Sequence, residues 1–405
     1  MKSSSRLRKI SLDRLVNRRA ALNIGASIVT TIAVLSLSKL KALSYLIYTS
    51  SNTSIALSHQ KKNNRKRTFR VIGKKSLKQS ATAKGIIYGA FPQASRDEFD
   101  LNRKWKATFI RECSLVVAAC YWTDTQKSRG TFDFSEPDYL TQFAATNQML
   151  VRGHPLVWHL ALPKWIEETL DRQNAEQILT NHVHTFVKRY AGKMHSWDVV
   201  NEAIEVKDGR SDRLRNTPWL EFLGADYINL AFHTAARADP KALLVYNEQN
   251  LEYDEAHQIA VLQLLQRLIS QGTPVHALGI QSHLRGHRDD FNPQRFKKFL
   301  KHVAKLGLKI LVTELDVIDQ ELPLDPLDRD RRIASTYEQY LNAVLSEKAV
   351  IAVINWGLSD RDTWLNKYLP RPDRSPSRPL PFDRDFQPKL AFNAMIRAFD
   401  RSPKR

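Results

Sequence analysis

From residue 85 onward the chain alternates short, nearly continuous apolar runs with longer stretches of helical spacing. The runs lie at 85–91, 115–121, 149–158, 196–203, 243–247, 277–284, 309–317 and 350–358. Between them, segments such as 175–190, 256–270 and 293–306 repeat apolar residues every three or four positions, as helices with one buried face do. Strands that are apolar on both faces belong in a parallel sheet covered by helices on each side. Eight such units predict an α/β protein whose sheet closes into a single (β/α)8 TIM barrel.

The polar residues that interrupt this pattern are not scattered. They gather at the carboxyl ends of the runs: His154 and His159 at the third, Asn201 and Glu202 at the fourth, Asn247 and Glu248 at the fifth. Gln281 and His283 end the sixth, Glu314 and Asp316 the seventh, and Trp356 and Asp360 the eighth. In a barrel these ends share one rim, the face that carries the chemistry. Burying polar groups without partners is costly, so so many on one rim indicate a site. No nucleotide-binding glycine loop, Walker motif or metal-spaced His/Glu set appears, and no cofactor is implied.

Charge changes the picture only at the start of the chain. The 405 residues carry a net +20, but residues 1–80 hold 18 Lys or Arg and one acid, Asp13, leaving 44 bases against 41 acids for the rest. The folded part is nearly balanced, so no nucleic-acid partner is expected. A basic stretch ending in Arg18–Arg19 precedes an uncharged stretch, 20–38, weakly apolar and rich in small residues. That is an export pattern of the twin-arginine kind, placing the protein in the periplasm or outside the cell. Uncleaved, 20–38 is just long enough to anchor the chain in a membrane. The expected organisation is a signal or anchor at 1–58, a basic linker at 59–80 and the barrel at 81–401. The two cysteines, Cys113 and Cys120, are too few for a disulfide framework or a four-ligand zinc site and read as buried free thiols.

Glu202 and Glu314 each end an apolar strand, where packing does not call for a charge. Strands four and seven face each other across a barrel mouth. Cleavage of a glycosidic bond needs such a pair: one carboxyl protonated towards the leaving oxygen, one ionised towards the anomeric carbon.

The motifs RGHPLVWH (152–159), WDVVNEAI (197–204), VYNEQN (245–250), GIQSHL (279–284), VTELDV (312–317), WGLSD (356–360) and FDRDFQPK (382–389) occur in this order. With them the chain resembles the family 10 glycoside hydrolases, best known as endo-β-1,4-xylanases, over essentially the whole folded region. The resemblance implies a retaining endo-glycanase acting on a β-1,4-linked polysaccharide or oligosaccharide. It implies Glu202 as acid/base with a raised pKa, Glu314 as nucleophile, Asn201 as a donor to the sugar 2-hydroxyl, and His283 as the partner of the nucleophile, oriented by Asp316. Gln281 is implied as a ligand near the acid/base, His154 and Trp158 as contacts to the sugar at the cleavage point, and Trp356 and Trp364 as platforms over it. Trp105 and Trp165 read as core.

The chain departs from that family in the second strand. The register fixed by Trp122, Gly130 and Phe134 sets Val117, Ala118 and Tyr121 where the family usually has Glu, Asn and Lys. An altered donor-side subsite is therefore expected. Glu248–Gln249 also replaces the usual Asp-Tyr. A polysaccharide-binding barrel without activity, a transglycosylase and a surface-tethered interaction protein remain as alternatives.

Overall fold

In the computed structural model, residues 71, 73–93 and 96–405 are described. The expected signal or anchor and most of the linker lie outside them. No helix among the described residues is long and apolar enough to cross a membrane.

Nine strands form one sheet: β1 (Ile87–Ala90), β2 (Leu115–Ala119), β3 (Leu150–His154), β4 (Ser196–Asn201), β5 (Leu243–Glu248), β6 (Ala277–Ile280), β7 (His283–Arg285), β8 (Lys309–Ile318) and β9 (Val350–Asn355). All ladder pairings are parallel. The ring β1–β2–β3–β4–β5–β6–β8–β9 closes where β9 pairs with β1, so eight strands make the expected barrel. The sixth apolar run is broken in two. Ser282 has a left-handed backbone, φ 65°, which ends β6 and lets β7 continue beside the outer part of β8.

The continuous apolar runs are explained by two cores. Leu115, Val117, Val245, Ala277, Leu311, Ala352 and Ile354 fill the barrel interior, closed at the rim by Trp356. Their neighbours, including Val116, Ala118, Tyr246 and Val353, point outward into the layer between strands and helices. Each fully buried Val or Leu contributes ~1.5–3 kcal/mol, so both layers stabilise the ring that positions the rim. Trp105 is buried, stacked 5.9 Å from Phe386, and Trp165 packs half-buried against the same core, as expected. Cys113 and Cys120 are free and buried.

Two expectations are corrected. The folded unit begins before residue 81: Leu77–Thr82 is a helix opened by a capping box between Ser76 and Gln79, with Leu77 and Ala81 buried. In addition, Val117 and Ala118 do not reach the cleft. Val117 lies in the barrel interior and Ala118 on the opposite, helix-facing side, because side chains alternate along a strand. By the same alternation the inward residue of β2 nearest the rim is Ala119, paired with His154. Of the three residues expected to alter the subsite, Tyr121 alone stands at the mouth.

Candidate active site

β4 and β8 present their carboxylates from across the ring. Glu202 follows the last residue of β4 in a left-handed conformation, φ 55°, unusual for a non-glycine residue and costing ~1–3 kcal/mol. It is held there by its own N–H, which donates to the Asn247 carbonyl at 2.9 Å. Its Oε1 accepts from Gln281 Nε2 at 2.9 Å and Asn201 Nδ2 at 3.3 Å. Its Oε2 faces Gln249 Nε2 at 3.5 Å and His159 Nδ1 at 3.9 Å. Burial raises its pKa above the ordinary carboxylate value, and the nearby Arg215 charge and the Gln281 hydrogen bond only partly offset this.

Glu314 is equally buried, yet its proton affinity goes the other way. Burial pushes its pKa up, but His154, His283 and Asn247 outweigh burial and hold it below the ordinary value. Asn247 Nδ2 donates to Glu314 Oε1 at 2.8 Å, His283 Nε2 lies 3.3 Å from Oε2, and His154 Nδ1 lies 3.9 Å from Oε1. Each histidine is pinned by an aspartate. His154 Nδ1 is 2.7 Å from Asp198 Oδ2, and Asp198 in turn accepts from the buried Arg152. His283 Nδ1 is 2.9 Å from Asp316 Oδ1. Burial alone would depress the His283 pKa, but Asp316 and Glu314 hold it well above the usual imidazole value.

Asn247 joins the two carboxyl groups. Its Nδ2 donates to Asn201 Oδ1 as well as to Glu314, both at 2.8 Å. Thr313 Oγ1 donates to its Oδ1 at 2.7 Å, which fixes the amide orientation. Gly279 makes room beneath it: a Cβ there would stand 2.3 Å from Asn247 Oδ1.

The aromatic residues form a continuous wall. Phe91 packs on Trp356 at 4.6 Å, Trp356 meets His154 edge-on at 5.1 Å, and Tyr121 lies 5.8 Å from His154 and 5.9 Å from Trp158. Trp364 tilts over His283 at 5.2 Å and donates its indole N–H to Asp316 Oδ2 at 2.7 Å. Gln93 ties the two tryptophan loops together. Its Nε2 donates to the Trp356 carbonyl at 2.6 Å, and its Oε1 accepts from the Trp364 N–H at 2.9 Å.

All ten residues expected at the site therefore converge on one rim. Sequence reasoning marked Asn247 only as a strand-end residue, and it missed Gln93, Asp198 and Arg215. Asn247 had a signal in its place within VYNEQN. Gln93 and Arg215 had none, since each sits in a loop outside the strand-end motifs. Glu248 points away from the cleft. It is buried behind the rim, accepting from Tyr246, from Ile204 N–H at 3.1 Å and from its neighbour Gln249 N–H at 3.0 Å.

The pattern that defines Glycosyl hydrolase family 10 matches residues 76–398. Endo-1,4-beta-xylanase 3 of Hypocrea jecorina is 32% identical over 326 residues, covering 79% of this chain and 85% of that protein. Endo-1,4-beta-xylanase C of Paenibacillus barcinonensis is 32% identical over 298 residues, but the match spans only 27% of that longer protein. Among solved structures, xylanase 10B of Thermotoga petrophila RKU-1, in complex with xylobiose, superposes with a TM-score of 0.73 at 28% identity, over 81% of this chain and 98% of that one.

Proposed function

The chain belongs to glycosyl hydrolase family 10 and is a glycoside hydrolase, and from that premise we propose that it cleaves β-1,4-xylan internally with retention of configuration. The observation that carries the reading is the opposite proton affinity of two buried carboxyl groups joined through Asn201 and Asn247. Glu202, holding its proton, gives it to the leaving glycosidic oxygen as the C–O bond breaks. Glu314, ionised, attacks the anomeric carbon and forms a covalent glycosyl-enzyme. Glu202, now a base, takes a proton from water as water displaces Glu314. In this reading Asn201 Nδ2, on the Glu202 side of its amide, donates to the 2-hydroxyl. Trp356 and Trp364 present rings to the apolar faces of the sugar. The relatives and neighbours named as xylanases, one of them holding xylobiose, support xylan as the substrate.

The test is Glu314→Ala. It should abolish turnover of an aryl β-xylobioside while leaving xylo-oligosaccharide binding measurable by calorimetry. Near-normal turnover would remove the role assigned to Glu314.

A second reading concerns the donor side. There Ala119, Tyr121 and the Phe91–Trp356 pair offer small or aromatic surface. The Tyr121 phenol is kept neutral, its pKa pushed well above the usual value by burial and by Glu314. Such a surface stacks on a sugar ring without polar hydroxyl recognition, which favours weak action on xylan or action on another β-glycan, with transfer to a sugar acceptor as a further outcome. Rates on xylo-oligosaccharides, cello-oligosaccharides and mixed-linkage glucan separate the readings. Ordinary xylanase rates confined to xylan would remove the second. Arg18–Arg19 and the uncharged stretch 20–38 support an exported enzyme, and unchanged export after replacing both arginines by lysine would argue against the twin-arginine route.

A further inference from the structure

The loop after β4 contains one buried cation that touches no substrate-facing carboxylate directly, yet grips the backbone on which Glu202 sits. Arg215 Nε donates to the Glu202 carbonyl at 2.8 Å, and Nη2 donates to the Ile204 carbonyl at 3.1 Å. Its own N–H donates to the Ala203 carbonyl at 2.7 Å, and Nη1 donates to Glu205 Oε2 at 3.3 Å. Four donors from one residue thus go to four consecutive residues, 202–205. The same segment is fixed from the other side, where Ile204 N–H donates to Glu248 Oε2 and Glu202 N–H donates to the Asn247 carbonyl. The side chain of Arg215 is 5% exposed, so these bonds are made out of water, where each is worth more and its loss leaves a buried carbonyl unpaired.

Such a clasp has a mechanical reason. Glu202 holds a left-handed backbone that a non-glycine residue adopts only when its surroundings impose it. Released from that conformation, the backbone relaxes and the carboxyl swings away from Gln281 and Asn201.

We propose that Arg215 is the positioning residue for Glu202, holding the strained 202–205 segment so that the carboxyl proton is aimed at the leaving oxygen. This rests on the reading of Glu202 as proton donor. The consequence is specific to one step. When the leaving group is a poor one, the C–O bond breaks only as Glu202 delivers its proton. When it is a dinitrophenolate, the bond breaks without a proton, and only Glu314 forming its bond to the anomeric carbon matters.

The experiment compares kcat/KM on phenyl and dinitrophenyl β-xylobiosides for the full chain and its Arg215→Met, Arg215→Lys and Glu202→Ala variants. Positioned general acids contribute about 100- to 10,000-fold. Arg215→Met is therefore expected to lose about tenfold or more on the phenyl substrate and under about twofold on the dinitrophenyl one. Arg215→Lys, which keeps the charge but not the planar fork of donors, is expected to recover part of the phenyl loss. Equal losses on both substrates, or no loss on either, would overturn the proposal. If circular dichroism shows that the Met variant is not folded, the same criteria apply to Arg215→Lys alone, its loss falling on the phenyl substrate only. Glu202→Ala separates the two levels of inference. If it shows no leaving-group dependence, the role of Glu202 fails. If it does and the arginine variants do not, only the role of Arg215 fails.

Discussion

Asp316→Asn tests how the ionised state of Glu314 is maintained. Asp316 is fully buried and accepts from both His283 Nδ1 at 2.9 Å and Trp364 Nε1 at 2.7 Å. Asparagine preserves the volume and one acceptor oxygen but removes the charge. A hydrogen bond to a charged partner contributes about 1.5–3 kcal/mol, and 1.36 kcal/mol is one pKa unit. His283 should therefore lose about one to two units of proton affinity, relative to a starting value well above the imidazole range. Two effects then act on Glu314 with opposite signs. Removing the Asp316 anion favours ionisation, and weakening the His283 cation disfavours it. Glu314 titrates below the ordinary carboxylate value, where His283, 3.3 Å away and starting well above the imidazole range, stays protonated even in the variant, so the loss of the anion decides and the Glu314 pKa falls. The ionised nucleophile is lost as pH falls through that pKa, so the acid limb of kcat/KM moves to lower pH. The measurement is a pH profile of kcat/KM on a dinitrophenyl β-xylobioside, which needs no proton from Glu202. The expected move is up to about one unit, the scale of one charge removed from beyond His283. A uniform fall in rate with the acid limb in place would refute the argument and reduce Asp316 to a support for Trp364.

Two further substitutions probe the supports of the site. In Gly279→Ala the new methyl meets Asn247 Oδ1 at 2.3 Å and Thr313 Cγ2 at 3.0 Å. Overpacking of this kind costs about 1–3 kcal/mol. The expected result is a lowered denaturation midpoint together with a loss of kcat on every substrate, because Asn247 no longer bridges Asn201 and Glu314; full activity would show that the bridge is dispensable. Gln93→Ala removes the tie between the Trp356 and Trp364 loops, so KM for xylo-oligosaccharides should rise several-fold, by the ~0.5–1.5 kcal/mol of a neutral hydrogen bond, while turnover of saturating substrate changes little; a fall in kcat at unchanged KM would count against it.

The fold was legible because its strands are apolar on both faces, a pattern few other architectures share. What was not legible depended on backbone conformation and on register. The break at Ser282 leaves no mark in GIQSHL, since a serine in the left-handed region looks like any other serine. Residues 74–80 read as linker because Lys74, Lys75 and Lys78 dominate them, although the Ser76-x-x-Gln79 capping signal was present. The second strand failed for another reason. Anchoring on Trp122 sets Val117 and Ala118 opposite the family's polar pair, but it does not say which way each side chain turns, and here the strand's own alternation sends Val117 into the barrel interior and Ala118 towards the helices.

The two carboxylates were legible as a pair, and the resemblance implied a raised pKa for Glu202, but the full set of groups that holds Glu314 ionised was not legible, Asn247 and Asp198 among them. Both carboxylates are buried, and burial alone would raise the proton affinity of both. Glu314 escapes because two histidines reach it, one from β3 and one from β7, each backed by an aspartate that the interior could not otherwise hold: Asp198 is also paired with Arg152, and Asp316 takes the Trp364 N–H. Glu202 has no such backing. The cation nearest its backbone spends its hydrogen bonds on carbonyls and on Glu205, so it steadies the segment while stabilising the carboxylate only at a distance. One rim thus keeps a proton on one oxygen pair and off another by directing its cations, through Asp198, Asp316 and Arg215, at different atoms.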